Sequence, residues 1–309
     1  MNGINLAVGR SVGRSVGRSV ALIDVDSHNF PNLCLMKISA YHKSLGDQVE
    51  WWNGLKHYDL AYQSRVFDDT YTKDLEWVVN ADEVIKGGTG YDLRAVLPEE
   101  IEHIYPDYSL YGTDKAYGYL TRGCPRACPF CIVSEKEGRK SRQVADLDEF
   151  WRGQKEIVLL DPNITASKEC EKLFEDLIRT KAWINFSQGL DARCLTDKGA
   201  DQLNQMKVRM IHFAWDNYEM KTYEKLKEVR PLLDKPGRNL RVYVLTNYNT
   251  THDQDLERIY KLRELDYDPF VMIYNKPHAP RLTKKMQRWC NNKFVFRTCE
   301  NFEDYRSDI

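Results

Sequence analysis

The sequence has 309 residues, 29% of them charged, with 45 Lys and Arg set against 46 Asp and Glu and a formal net charge of -1. So even a balance recruits neither nucleic acid nor a membrane surface by charge, and no run of about 18 apolar residues is present to span a bilayer. Eight cysteines are too few for a disulfide scaffold at this length, which predicts a reducing compartment, the cytoplasm.

The chain is long enough for one large or two smaller domains, each with its own core. Residues 1–19 carry a four-residue repeat, Val8-Gly9-Arg10-Ser11 and two further copies ending at Ser19. Glycine at every fourth position opposes helix and three arginines without acidic residues oppose compaction, so a disordered tail is predicted. From 20 to 96 the pattern changes. Val20 to Val25 reads as a buried strand and Asn32 to Leu45 as a helix closed by Gly46. Val49 to Trp52, Tyr58 to Tyr62 and Glu83 to Lys86 read as further strands, predicting a small Rossmann-like α/β domain with a parallel sheet. Its Gly87-Gly88-Thr89-Gly90 lacks the dinucleotide fingerprint and reads as a tight turn. Residues 97–113, with Pro98 and Pro106 and no clean period, read as a linker.

A strand predicted over Ala116 to Thr121 leads into Gly123-Cys124-Pro125-Arg126-Ala127-Cys128-Pro129-Phe130-Cys131. Spacers this short let Cys124, Cys128 and Cys131 converge on one soft metal centre, and the two prolines keep the loop from continuing as a helix. The next cysteine, Cys170, is far along the chain and no histidine intervenes, so a closed four-ligand zinc site is not indicated. Three thiolates on a four-iron four-sulfur cluster leave one iron without a protein ligand, the condition for chemistry at the metal.

The Cys-x3-Cys-x2-Cys spacing, with Phe130 before the third cysteine, resembles the cluster loop of the radical S-adenosylmethionine (SAM) superfamily. The resemblance implies a 4Fe-4S cluster whose open iron is chelated by SAM. It further implies reductive cleavage of SAM to methionine and a 5'-deoxyadenosyl radical that abstracts hydrogen from a substrate, and an oxygen-sensitive protein. Such a loop requires strand–helix units after it, and the sequence supplies them. Strand-like runs recur at Glu156 to Leu160, Trp183 to Ser187, Val208 to Ala214, Leu240 to Thr246 and Phe270 to Tyr274. Helical stretches lie between them at Asp146 to Gln154, Ser167 to Thr180, Thr196 to Met206, Tyr218 to Leu233 and Thr251 to Leu265. The expected fold is therefore α/β: a partial (β/α)6 barrel over 114–277, preceded by the Rossmann-like domain and followed by an extension over 278–309 that closes the open side.

Sites in parallel β/α architectures form at the carboxyl ends of the strands. Under the resemblance, Asp161 is the candidate acceptor for the SAM ammonium, in place of the Gly-Gly-Glu that related enzymes carry there. Arg193 is the candidate for its carboxylate and Gln188 for a further hydrogen bond, while Asp216 takes ribose hydroxyls and the backbone around Phe130 seats adenine. Each also has a structural reading: Asp161, Asn163 or Thr165 as helix caps, Arg193 in a surface pair with Asp191, and Asp216 or Asn217 as the cap of the following helix. His212 reads as a core histidine, and Cys290 and Cys299 as structural thiols. Arg122, Arg126, Lys136, Arg139, Lys140 and Arg142 flank the loop, suiting an anionic cluster or an acidic electron donor such as flavodoxin or ferredoxin. The first domain is similar to a shortened cobalamin-binding domain, with Asp26-x-His28 after its first strand but Pro31 where that motif has glycine, so cobalamin is not expected. The substrate is not legible. A non-catalytic iron–sulfur or metal-binding electron-transfer protein and a cobalamin-dependent radical SAM methyltransferase are the alternatives.

Overall fold

The protein is described by a computed structural model covering residues 17–26 and 30–306. The repeat copies at 8–16 and His28 lie outside the described residues. The chain divides into two compact units. The first runs to Gly118 and takes in Ala127–Gly138 and Ala145–Gln154, and the second comprises Tyr119–Arg126, Arg139–Val144 and Lys155–Ile309. Among the described residues no helix is long and apolar enough to cross a membrane.

In the first unit β1 (Ser19–Asp24), α1 (Leu33–Ser44), β2 (Gln48–Trp51), β3 (Tyr58–Ser64) and β4 (Ala81–Gly87) form an all-parallel sheet of order β2-β1-β3-β4. A central parallel strand must be apolar on both faces, and β1 is. Val20 and Leu22 pack with Leu35 and Ile38 of α1, while Ala21 and Ile23 pack on the other face with Tyr58 and Val79. α1 starts where the Asn32 side chain accepts the Leu35 amide and ends at Gly46, whose φ of 84° is the left-handed geometry glycine permits. The glycine run after β4 is a tight turn: a Cβ on Gly88 would sit 2.3 Å from the Arg65 carbonyl oxygen. α2 (Glu99–Glu102), β5 (Ala116–Gly118) and α3 (Val133–Lys136) are the unit's other regular segments. The helix predicted at Asp146 to Gln154 is instead a single 3-10 turn, Leu147–Glu149, because Gly153 (φ 95°) reverses the chain and the Gln154 side chain takes the Arg152 amide.

The second unit begins with a short antiparallel pair, β6 (Thr121–Arg122) and β7 (Arg142–Gln143). Then β8 (Glu156–Leu159), α4 (Cys170–Thr180), β9 (Trp183–Phe186), α5 (Asp197–Gln205), β10 (Lys207–Val208) and β11 (Ile211–Ala214) follow. α6 (Met220–Val229), β12 (Leu240–Thr246), α7 (His252–Glu264) and β13 (Asp268–Ile273) complete the alternation. Every ladder among β8 to β13 is parallel. The run predicted as one strand over Val208 to Ala214 is interrupted at Arg209 and Met210. β10 pairs with β9, β11 pairs with β12, and the Leu190 amide bonds the His212 carbonyl at 2.7 Å across the gap. Ile211, Phe213 and Trp215 are buried with Val242 and Val244 on the helix-covered face. His212, Ala214 and Asp216 alternate onto the opposite face, as a two-residue period requires.

α8 (Arg281–Asn291) and α9 (Lys293–Thr298) end the described chain, with Met286, Trp289, Cys290 and Phe296 packed on Leu256, Ile259 and Val271. The free edge of β13 is capped by side chains. Asn291 Oδ1 accepts the Val271 amide at 2.8 Å and Gln287 Nε2 donates to the Val271 carbonyl at 3.0 Å, which covers an edge that otherwise invites pairing. Burial pushes the Cys290 thiol up to about 12, so it is a packing group, not a nucleophile.

Candidate functional site

None of the eight cysteines, Cys124, Cys128 and Cys131 among them, is joined in a disulfide. The loop that holds these three turns on two left-handed residues, Gly123 (φ 91°) and Ala127 (φ 48°), the latter a conformation that costs a residue with a Cβ. Cys124 belongs to the second unit, Cys128 and Cys131 to the first. Between the latter two, the Cys131 amide donates to the Cys128 carbonyl at 3.0 Å in a tight turn, leaving Cys131 exposed. Phe130 in that turn is half-buried. α3 follows directly and is tied down within the first unit by Lys136, whose ammonium donates to the carbonyls of Leu93 (3.0 Å) and Ala95 (3.1 Å). Among the described residues no group of three or more His, Cys, Asp or Glu side chains is gathered as a metal site. The donor types suit an iron–sulfur cluster: three cysteines outside any disulfide, the first accepting a hydrogen bond from Asn163 Nδ2 at 3.3 Å. N–H donors to sulfur are what stabilise a ligating thiolate.

Asn163 leads to the centre of the strand-end site, Asp191. This residue follows β9 and its side chain is 8% exposed. Its carboxylate accepts from Arg126 Nε at 2.5 Å and from Arg193 Nε and Nη2 at 2.8 and 3.2 Å, with Asn163 Nδ2 at 3.4 Å. The Asp191 amide is held by Thr165 Oγ1 at 3.0 Å. Burial opposes ionisation of Asp191, but the bonds from Arg193 and Arg126 outweigh it, so its pKa lies below the usual carboxylate value. Arg126 also reaches Cys194 Sγ at 3.0 Å. Loops after β8 and β9 thus meet the Cys124 segment at one carboxylate.

Asp161, expected at a ligand ammonium, has a different occupation. Only 3% exposed, it accepts the amides of Leu120 and Thr121 (3.1 and 2.5 Å) and the Thr121 hydroxyl (2.7 Å). Burial still pushes its pKa up to about 6. It holds the chain just ahead of the cysteine loop. Arg193 does pair with Asp191, but that partner is buried, so this is no solvated surface pair. Gln188 lies exposed in the turn after β9. The next residue, Gly189, adopts φ 83°, and a Cβ there would approach the His212 carbonyl oxygen to 3.1 Å.

Asp216 sits beyond β11 and is largely buried, which pushes its pKa up to about 6 against the pull of Arg258 and Arg193. The fully buried Arg258 fixes this corner, donating to the carbonyls of Trp215 (2.5 Å) and Leu245 (2.7 Å) and to Asp255 (2.5 Å). Two residues before Asp216 on the same face is Ala214, and two before that His212, stacked on Tyr243 with centroids 5.3 Å apart and planes 1° from parallel. Burial pushes the His212 imidazole down to about 4, so it is neutral near pH 7. Below it Arg241 and Lys293 both pair with Asp268 (2.9 and 2.8 Å).

A carboxylate with a raised pKa stabilises the fold least when ionised. The folded state binds the Asp216 proton more tightly than the unfolded state, whose pKa is about 3.9, so stability from this group falls as pH rises from about 4 to about 6. Asp216→Asn is therefore expected to stabilise the protein by on the order of 2 kcal/mol at pH 8, with a smaller gain at pH 5. Urea unfolding of both proteins at the two pH values checks this, and a difference independent of pH contradicts it.

The convergence of Arg126 and Asn163 on Asp191, and the reach of Arg126 to Cys194, are not legible in the sequence. The available signal was the density of polar residues after β9, but nothing in it pointed to Asn163 or Arg126 as partners.

No family model matches the chain. Over 208 residues it is 26% identical to the tRNA-2-methylthio-N(6)-dimethylallyladenosine synthase of Protochlamydia amoebophila (strain UWE25), covering 57% of this chain and 45% of that protein. The chain thus spans less than half the length of that curated relative.

Proposed function

We propose that the protein is a radical SAM enzyme in which Cys124, Cys128 and Cys131 hold a 4Fe-4S cluster. The observation that carries this reading is the three-cysteine loop whose first sulfur shares the Asn163 amide with the arginine-bound carboxylate of Asp191 at the strand ends. The distant similarity to a tRNA methylthio-adenosine synthase supports the superfamily. When bound, the cluster supplies the electron that splits the SAM sulfonium into methionine and a 5'-deoxyadenosyl radical.

The chain's own residues bind and orient. Arg126 and Arg193 place two positive charges beside Asp191, one more than that carboxylate neutralises, and the surplus favours the carboxylate of SAM. Arg193 already spends two nitrogens of its fork on Asp191, so it offers a ligand one terminal nitrogen and a fixed orientation. Asp216, ionised above its pKa of about 6, accepts ribose hydroxyls. Asp161 positions Leu120 and Thr121 and through them the entry to the loop. Neutral His212 and Tyr243 form a flat wall on the same strand face as Asp216. An acidic reductant of the flavodoxin or ferredoxin type remains the proposed electron donor, met by Arg139 and Lys140, both exposed, because Arg126 and Lys136 are engaged within their own units. The relative is named for a product in tRNA, which makes thiolation of a nucleoside one reaction to screen.

Anaerobic reconstitution with iron and sulfide, reduction, and electron paramagnetic resonance with and without SAM tests the reading. A 4Fe-4S signal that shifts on SAM addition is expected. A signal indifferent to saturating SAM favours a non-catalytic electron-transfer protein, and stoichiometric corrinoid binding favours the methyltransferase alternative.

A further inference from the structure

The first unit contains a cavity of about 760 Å³ at the carboxyl ends of β1 and β2, within the size range of small-molecule sites. Its wall is aromatic and acidic: Trp51, Trp52, Trp77 and Tyr111 line it together with Asp24 and Asp114, and none of its described lining residues is basic. Trp77 is 60% exposed, an arrangement that wastes a large apolar ring unless something covers it. Trp52 and Trp77 lie within 11° of parallel with centroids 6.4 Å apart, and Trp51 meets Tyr111 edge-on at 5.1 Å. Tyr111 donates its hydroxyl to Asp24 at 2.5 Å and so fixes that carboxylate. The buried Trp52 Nε1 has no hydrogen-bond partner among the described residues, a donor without an acceptor. Asp26, the other carboxylate near this end of β1, is taken up by the amides of Val66 (2.8 Å) and Phe67 (2.7 Å).

We propose that this cavity is a binding site for an organic cation, a quaternary or alkylated ammonium compound. Aromatic ring faces attract cations through their quadrupole, and two carboxylates add to the same preference. Among the described lining residues a phosphate or carboxylate ligand meets no counter-charge. The site belongs to the first unit alone and does not depend on the cluster, so the proposal stands or falls separately from the radical SAM reading.

Calorimetric titration of the full chain, without reconstitution, compares choline with its uncharged carbon isostere 3,3-dimethylbutan-1-ol, and with AMP and hydroxocobalamin. Choline is expected to bind at least about tenfold more tightly than the isostere, and Trp77→Ala and Asp114→Asn each to weaken it by about tenfold with unchanged circular dichroism. Equal binding of charged and uncharged probes overturns the proposal, as does absence of choline binding at tens of millimolar. Competition by AMP or hydroxocobalamin for the same tryptophans overturns it too, by assigning the cavity to an anion or a corrinoid.

Discussion

Cys131→Ala is expected to lower the iron content of the reconstituted protein from about four per chain to a small fraction of one, and Cys124→Ala and Cys128→Ala to do the same. The argument is one of ligand count. A cluster held by three thiolates has no spare protein ligand, and the other five cysteines include Cys290, which burial keeps protonated, and Cys170, whose pKa burial pushes up to about 12. Neither replaces a lost thiolate at neutral pH. Exposed Cys34 is the control: Cys34→Ala is expected to retain full iron and sulfide. Parallel iron, sulfide and visible-absorbance measurements on the four variants check this. Iron retained by any of the three loop variants, or lost equally from the Cys34 variant, contradicts the assignment.

The second large effect is expected at Asp191. Removing one partner of a buried ion cluster leaves the others with uncompensated charge, at a cost of about 3 kcal/mol or more when burial is complete. Arg126 and Arg193 are each 31% exposed and recover part of their hydration, so Asp191→Ala is expected to cost about 2–3 kcal/mol. Asp191→Asn, which keeps one acceptor oxygen, is expected to cost about half as much. Chemical denaturation of the apoprotein gives these numbers. The same substitution leaves Asn163 Oδ1 held by Thr165 and the Ala166 amide, but Arg126 and Arg193 lose the carboxylate that orients them, and SAM affinity of the reconstituted protein is expected to fall with it. A loss below about 0.5 kcal/mol means that the ion cluster is solvated and does not organise the loop.

The contrast between Cys131 and Asp191 shows what the sequence made legible. Three cysteines in eight residues announce themselves because ligand spacing is local. So do strands such as Val20 to Ile23 or Leu240 to Thr246, where apolar runs recur at regular intervals between helical stretches. The pairing of Asp191 with Arg193, two residues on, was legible, but Arg126 and Asn163 come to it from two other loops, and no local pattern encodes that meeting. Asp161 reads from its position after β8 as a ligand acceptor or a cap, while its bonds to the amides of Leu120 and Thr121 are a tertiary fact. The interruption of the strand over Val208 to Ala214 is likewise nonlocal, since β10 follows β9 and β11 follows β12. The helix expected at Asp146 to Gln154 failed for a local reason that was visible: Gly153 lies inside it, and its capping box closes a 3-10 turn instead of opening a helix.

Anaerobic incubation of the reconstituted, dithionite-reduced protein with SAM, followed by chromatography of the products, tests the central claim most directly. The account predicts equimolar methionine and 5'-deoxyadenosine, absent from the Cys131→Ala protein and restored to no extent by added iron. A fully loaded 4Fe-4S protein that leaves SAM intact contradicts it.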